Sequence, residues 1–285
     1  MIKSAVVNLA EKMEKRVQHT IDARNAQFWT ELCGSSLARQ LGIRDHSLES
    51  LRRFDEAYLG FYPYLLEEVP LHRFSGRKVL EIGLGYGTLG QKIVEQGAEY
   101  AGLDISEGPV RMMKHRLALQ NLPGAALRGS ILQSPFADGE FDAVVSIGCF
   151  HHTGSVETCI RETFRLLKPG GMACLMLYNR FSLRQWLKWP LRTLSALAGN
   201  PGKAGASEAQ RGSYDVDASG KAAPETTFHS IRELGHLLAP FSSVRFSKRN
   251  CDGISLVPRL GIPREYLLSS VGRLMGLDIY IQAVK

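Results

Sequence analysis

Cysteine is scarce and shows no paired spacing. The 285 residues hold five (Cys33, Cys149, Cys159, Cys174 and Cys251), an odd number without a Cys-x-x-Cys pair. That pattern offers neither a disulfide framework nor a zinc site, and the thiols are expected to be reduced and mostly buried. Long hydrophobic runs are missing too. No stretch approaches the length of a membrane-spanning helix, and Met1–Arg24 mixes acids and bases without the apolar core of a signal peptide. A cytoplasmic location is the expectation. There is no internal repeat. From Gly199 to Glu225 large apolar residues are nearly absent, and the stretch is rich in Gly, Ala, Ser and Asp. Burial there cannot offset the entropy of ordering, which predicts a mobile loop.

The chain does have enough apolar content, 44% hydrophobic residues, to build one substantial core with additions. The net charge is +7 and unevenly spread. Basic residues gather between Arg180 and Arg211 and again from Arg245 to Arg264. The preferred reading is a solvated face that keeps the protein soluble; an acidic substrate or a membrane surface is the alternative.

From Val79 to Tyr178 apolar runs alternate with amphipathic segments, the pattern of a parallel sheet covered by helices on both faces. Strands are predicted near 79–82, 100–104, 125–129, 141–147 and 172–178. Helices are predicted near 88–96, 107–120 and 156–167, the last ended by a turn at Pro169-Gly170-Gly171. Upstream, Leu9–Ile21 and Leu48–Leu66 have helical spacing, so residues 1–75 read as a helical cap. Downstream, Ser230-Ile231-Arg232-Glu233 is a capping box opening a helix to about Leu238. Ser243–Lys248 and Leu277–Val284 read as two late strands. The expected segments are the cap (1–75), the core (76–180), an insertion after strand five (181–227) and the completion of the sheet (228–285).

The most specific signal is Val79-Leu80-Glu81-Ile82-Gly83-Leu84-Gly85-Tyr86-Gly87-Thr88, with Tyr100-Ala101-Gly102-Leu103-Asp104 after it. A buried strand leads into glycines that let the backbone turn tightly beside a ligand before a helix starts near Thr88. Asp104 ends a second apolar run, placed to accept hydrogen bonds from ribose hydroxyls. Gly85, Gly87 and Gly90 also satisfy Gly-x-Gly-x-x-Gly, so a nicotinamide dehydrogenase has to be weighed. Glu81 argues against it. A pyrophosphate at the helix N-terminus would meet a carboxylate in a site drier than water. S-adenosylmethionine carries no phosphate and brings an ammonium and a sulfonium, for which an acid beside the turn is attractive.

Glu81–Gly87, Asp104, Phe136-Ala137-Asp138-Gly139-Glu140-Phe141-Asp142, Phe150-His151-His152-Thr153 and Leu166-Leu167-Lys168-Pro169-Gly170-Gly171 together resemble the class I S-adenosylmethionine-dependent methyltransferases, in the branch of quinone-biosynthesis and natural-product enzymes. The resemblance covers residues 77–178. It implies a doubly wound, Rossmann-like seven-stranded sheet whose last strand is antiparallel to the rest. It also implies that Glu81 and Gly83 hold the methionine end of the cofactor, Gly85, Tyr86 and Gly87 pass beneath it, Asp104 binds the ribose and Ile105 packs on the adenine. Ser130 and Ile131 stand where family members often place an acid for the adenine amino group, and Ile147, Gly148 and Cys149 follow strand four at the sheet edge where ligands of such folds bind.

His151 and His152 come next. An acceptor hydroxyl or ammonium must lose a proton when it is methylated, and imidazole titrates in the right range. One of the two is the candidate base, with His151 favoured; the alternative is that both merely bond backbone. Trp29 and Tyr58 are plausible walls of a lid, and Tyr178 and Asn179 are candidate substrate contacts. Arg180, Arg184, Lys188 and Arg192 recur every four residues, with Leu183, Trp186, Leu187, Leu191 and Leu194 off that row, which predicts a basic amphipathic helix broken by Pro190. Its apolar side is expected to roof the site or meet a second subunit, with a membrane interface as the less favoured option.

The resulting expectation is transfer of a methyl group to oxygen or nitrogen of a small molecule. A lipid or quinone acceptor, methylated on carbon or oxygen at a membrane, is the near alternative. A cofactor-binding protein without transfer, a cyclase or a regulatory subunit, is another. Nucleic acid is disfavoured as a partner, because no binding module is appended and the Asn/Asp-Pro-Pro-Tyr/Trp motif is absent after strand four. The helical cap can equally serve as a dimer surface, which leaves a homodimer open.

Overall fold

The computed structural model describes residues 2–31, 34–199, 205–257 and 260–285. Nine strands are found among them: β1 (Lys78–Ile82), β2 (Glu99–Asp104), β3 (Ala125–Arg128), β4 (Phe141–Ile147), β5 (Leu167–Tyr178), β6 (Ser243–Arg249), β7 (Ile254–Val257), β8 (Leu260–Ile262) and β9 (Asp278–Val284). Seven form one sheet in the order β3-β2-β1-β4-β5-β9-β6. β1 to β5 pair in parallel, whereas β9 runs antiparallel to both β5 and β6. The single reversed strand is the arrangement that the resemblance implies.

The helices are α1 (Ile2–Phe28), α2 (Ser35–Gln40), α3 (Leu48–Phe61), α4 (Leu65–Glu68), α5 (Thr88–Glu95), α6 (Glu107–Leu119), α7 (Val156–Leu166), α8 (Leu183–Lys188), α9 (Pro190–Leu197), α10 (Glu208–Gly212), α11 (Ile231–Leu237), α12 (Arg264–Leu267) and α13 (Val271–Met275). Alternation along each strand splits the core in two. Leu80, Ile82, Val144, Leu175 and Ile281 pack with Ile160 of α7 and Leu234 of α11 on one face. Val79, Val145, Cys174 and Tyr280 pack with Ile93 of α5, Met113 of α6 and Leu65 of α4 on the other. A strand buried on both faces reads as a near-continuous apolar run, and this is why β1 and β4 are legible in the sequence.

Several expectations need correction. The helix expected over Leu48–Leu66 is two, α3 and α4, because Pro63 between them cannot donate to a continuing helix. The turn at Pro169–Gly171 does not follow a helix directly: α7 stops at Leu166, and the turn is a bulge inside β5, where pairing with β4 jumps from Phe141–Leu167 to Ala143–Met172. Gly170 takes φ +74° there. The hairpin β7–β8 lies in a stretch read only as basic. The loop expected to be mobile from Gly199 to Glu225 is ordered over its described part, residues 205–225. Ser207 and Gln210 form a capping box for α10, and Arg211 donates through Nε to Ala223 O at 2.8 Å and through Nη1 to Ala206 O at 2.6 Å. Polar contacts and small buried residues, Gln210, Ala222 and Ala223, hold this segment in place of large apolar ones. Residues 200–204 and Cys33 lie outside the described residues; the other four cysteines are free thiols.

Candidate active site

The carboxyl ends of β1, β2 and β4 open into a cavity with about 1110 Å³ of empty space, counting its open mouth. That is room for a nucleoside-sized ligand. Glu81, Gly83, Gly85, Tyr86, Gly87, Asp104, Ile105, Ser130, Ile131, Ile147, Gly148 and Cys149 all line it, so the structure brings together every residue expected at the cofactor. Backbone geometry shapes this wall. Gly83, Gly85 and Gly87 have φ of +83°, +51° and +81°, a region costly for any residue with a Cβ. A Cβ at Gly83 would also stand 2.6 Å from Cys149 Cβ.

The two expected acids are set differently. Asp104 accepts from Leu84 N and Ser106 N, both at 2.8 Å. Each oxygen keeps a lone pair for a hydroxyl donor. Burial pushes its carboxyl up to about 6, against the pull of those two bonds. Glu81 accepts from Tyr100 Oη at 2.5 Å and lies against Gly90, where a Cβ would be 2.4 Å from its Oε2. The third glycine of the motif therefore makes room for the Glu81–Tyr100 pair. Burial pushes Glu81 up to about 8, with Tyr100 opposing and Asp104 adding repulsion.

Of the histidines, His152 lines the cavity and His151 does not. His151 is fully buried behind it, its ring 3.9 Å from that of Tyr178, and neither ring nitrogen has a hydrogen-bond partner among the described residues. The preference for His151 is corrected: adjacent residues of a 3-10 turn point in different directions, and only one of the pair faces the sheet edge. His152 Nδ1 lies 2.7 Å from Glu225 O, so this nitrogen carries the proton and Nε2 keeps the lone pair. Nε2 faces Asp215 Oδ2 at 3.6 Å, and Tyr178 Oη donates to the same oxygen at 2.9 Å. Burial lowers the His152 imidazole and raises the Asp215 carboxyl.

Trp29 and Tyr58 line the cavity, with the Trp29 ring 4.7 Å from His152. Tyr178 and Asn179 stand back from it. Tyr178 packs behind the histidines, and buried Asn179 is spent on backbone, donating to Gly276 O at 2.7 Å and accepting from Phe181 N at 3.0 Å. Ser130 reaches the wall, but its Oγ accepts from Leu132 N.

The sequence did not single out the docking of α1. Asp22, Asn25 and Trp29, spaced three and four residues apart on one helix face, all line the cavity. Asn25 Nδ2 donates to His152 O at 2.6 Å, and its buried Oδ1 has no partner among the described residues. Gln18 Nε2 donates to Thr153 O at 2.8 Å. Helical spacing of Asp22, Asn25 and Trp29 was the available signal. No signal announced Arg116, which is fully buried, bridges both oxygens of Asp55 at 2.8 and 2.9 Å and donates to Tyr86 O at 2.7 Å. This pair joins α3 of the cap to the glycine loop.

Asp22, Glu81 and Asp104 line the cavity and no Lys or Arg does, among the described residues. That donor set fits a cationic, phosphate-free cofactor and opposes a dinucleotide. Comparison with known proteins agrees. Residues 80–175 match a methyltransferase domain. The chain is similar to the demethylmenaquinone methyltransferase of Tropheryma whipplei, 30% identical over 98 residues that cover 34% of this chain and 40% of that one. It is also similar to the ubiquinone biosynthesis O-methyltransferase of Pseudomonas aeruginosa, 33% identical over 111 residues covering 37% and 46%. The chain thus spans less than half the length of these relatives. An S-adenosylmethionine-dependent methyltransferase of Methanosarcina mazei shares the fold, with a TM-score of 0.52 at 18% identity over 76% of this chain and 96% of that one. Residues 80–175 thus form a methyltransferase domain, and the sheet order is that of the fold found in S-adenosylmethionine-dependent methyltransferases.

Proposed function

We propose that the protein methylates an oxygen or nitrogen of a small molecule, with His152 taking the acceptor's proton. The observation that carries this reading is that His152 and the glycine loop line one cavity. S-adenosylmethionine, when bound, supplies an electrophilic methyl group. Glu81 and Asp104 would hold it, with Asp22 adding negative potential from the lid. A neutral His152, its Nδ1–H fixed on Glu225 O, offers Nε2 to the acceptor. Asp215 then stabilises the imidazolium that forms, and Tyr178 keeps Asp215 in place. In this reading residues 1–75 act as the lid, 76–180 hold the cofactor, 181–227 shape the acceptor side and 228–285 complete the sheet. Quinone-like acceptors are a natural first panel, given the names of the two relatives.

The test has two stages. Calorimetric titration should show binding of S-adenosylhomocysteine and none of NADH. With an acceptor found by methyl-transfer screening, His152→Ala should slow turnover by about 10²- to 10⁴-fold while cofactor affinity stays within about threefold. Turnover by His152→Ala equal to that of the unaltered protein would remove the base assignment, and binding of NADH alone would remove the cofactor reading.

A further inference from the structure

The insertion after β5 presents an apolar surface that nothing among the described residues covers. The preferred expectation is that the leucines of this stretch roof the site or meet a second subunit, and the first of these does not hold. Instead Leu187 of α8 and Leu191, Leu194 and Leu197 of α9 point outward, at 69%, 83%, 55% and 59% exposure. The residues turned inward are polar: Gln185 and Thr193 are buried, Thr193 Oγ1 donates to Gln185 O at 3.1 Å, and Gln210 Nε2 donates to Gln185 Oε1 at 3.1 Å. Gln185 also donates to Tyr214 Oη at 3.3 Å. The polar side is committed to the insertion's own interior, which leaves the leucine side to solvent. The stretch 198–207, Ala-Gly-Asn-Pro-Gly-Lys-Ala-Gly-Ala-Ser, holds no large apolar side chain that might cover it.

We propose that this face docks on an anionic phospholipid surface. Charge decides between the candidate occupants. From Leu183 to Ser207 the chain has four basic residues and no acid. Arg184 is held by Asp252 at 2.7 Å and half-buried Arg192 donates to Gly205 O at 2.5 Å beside the outward leucines, while exposed Lys188 lies between them. Leucines flanked by cations, with Trp186 and Trp189 partly exposed next to them, match an amphipathic helix lying in a headgroup layer. A second copy of the chain seated on the same face would set Lys188 and Arg192 against their own counterparts. Four leucines alone also fall short of the roughly 800 Å² per partner of a stable dimer. The chain's net charge of +7 draws it toward the same surface over longer range. No described helix is long and apolar enough to cross the bilayer, so the contact is peripheral. The insertion that carries the leucines also carries Asp215, which stands 3.6 Å from His152 Nε2 behind the cavity wall, so docking and the proposed base are linked through one segment.

Flotation of the full chain with phosphatidylglycerol–phosphatidylcholine vesicles tests this. Binding is expected at low salt, weaker in high salt and weak on phosphatidylcholine alone, because cations and leucines act together. The double substitution Leu191→Glu with Leu194→Glu should cut binding by at least about tenfold, since each leucine loses its transfer into the apolar layer. Both positions are exposed, so the fold should persist, and an unchanged circular dichroism spectrum and S-adenosylhomocysteine affinity would verify that. A blue shift of tryptophan emission on anionic vesicles that Trp189→Phe diminishes would place this segment at the interface. Vesicle binding unaffected by the double substitution overturns the proposal. So does a dimer seen by sedimentation velocity that the double substitution dissolves, which would assign the face to a second copy.

Discussion

The two walls of the cavity are held by different means. In the wall made by β1, β2 and β4, the constraints are local and reside in the backbone. Gly83 N bonds Leu103 O at 2.9 Å, Leu84 N bonds Asp104, and glycines occupy conformations and gaps that no side chain can share. The facing wall, made by α1 and the 3-10 turn that carries His152 and backed by the insertion, depends on single side chains bonded across long stretches of chain. Asn25 reaches His152 O across 127 positions, and His152 reaches Glu225 O across 73. A wall fixed by ladder hydrogen bonds and steric fit opens only with the fold, whereas one fixed by individual polar contacts, each worth about 1 kcal/mol net, can open while the core stays intact. The lid proposed for residues 1–75 belongs in the second class.

The sharpest way to break this contrast is at the joint between the walls. Arg116→Met leaves Asp55 buried without its partner and should destabilise the protein by about 3 to 5 kcal/mol, read by denaturant unfolding. A loss under about 1 kcal/mol would mean that the cap is not tied to the glycine loop in this way. Next in size, Asp104→Ala removes charge-assisted bonds worth about 1.5 to 3 kcal/mol and should weaken S-adenosylhomocysteine binding correspondingly. Unchanged affinity would show that the ribose is held elsewhere. Asn25→Ala acts on the opposite wall and should cost about 1 kcal/mol of stability while raising hydrogen exchange in α1 more than in β1 or β4. Equal exchange in both walls would erase the distinction.

A further effect is electrostatic and sets Glu81 apart from the histidines. Glu81, raised to about 8 in the fold from an ordinary 4.5, binds a proton that the unfolded chain releases, so its contribution is lost as pH rises toward 8. His229, lowered to about 4, and His151 and His152, also lowered, act in the opposite sense but only below their ordinary 6.5. Between pH 6.5 and 8 the cofactor-free protein should therefore lose stability as pH rises, and Glu81→Gln should flatten that slope. Asp278, raised to about 7, adds to the fall in its lower half. Binding of the ammonium-bearing S-adenosylhomocysteine at pH 7 should expel a proton, detected as a dependence of the calorimetric heat on buffer ionisation. No proton release would mean that Glu81 does not serve the ammonium.

Legibility followed the range of the interactions. β1, β2, β4, α5, α6 and α7 were readable to within a residue or two, because burial on both faces of a central strand and amphipathic spacing in a covering helix leave their period in the sequence. That Glu81, the glycines and Asp104 share one cavity was readable for the same reason: they sit at the ends of those strands. The choice of His152 over His151 was not readable, since the two differ only in which way a 3-10 turn points them. The ordering of residues 205–225 was hidden because Ser207, Gln210, Arg211 and Asp215 make polar contacts that composition does not distinguish from solvent exposure.

The sequence by itself determined the doubly wound sheet, the glycine turn and the carboxyl lining of the cavity, since strand burial, positive φ and side-chain chemistry are properties of residues in place. Only the tertiary structure decided which histidine meets the cavity, that Asp55 and Arg116 lock the cap, and that the leucines of α8 and α9 face outward. Each of these depends on partners brought together from distant parts of the chain, and a side chain's burial and direction are settled by what packs against it.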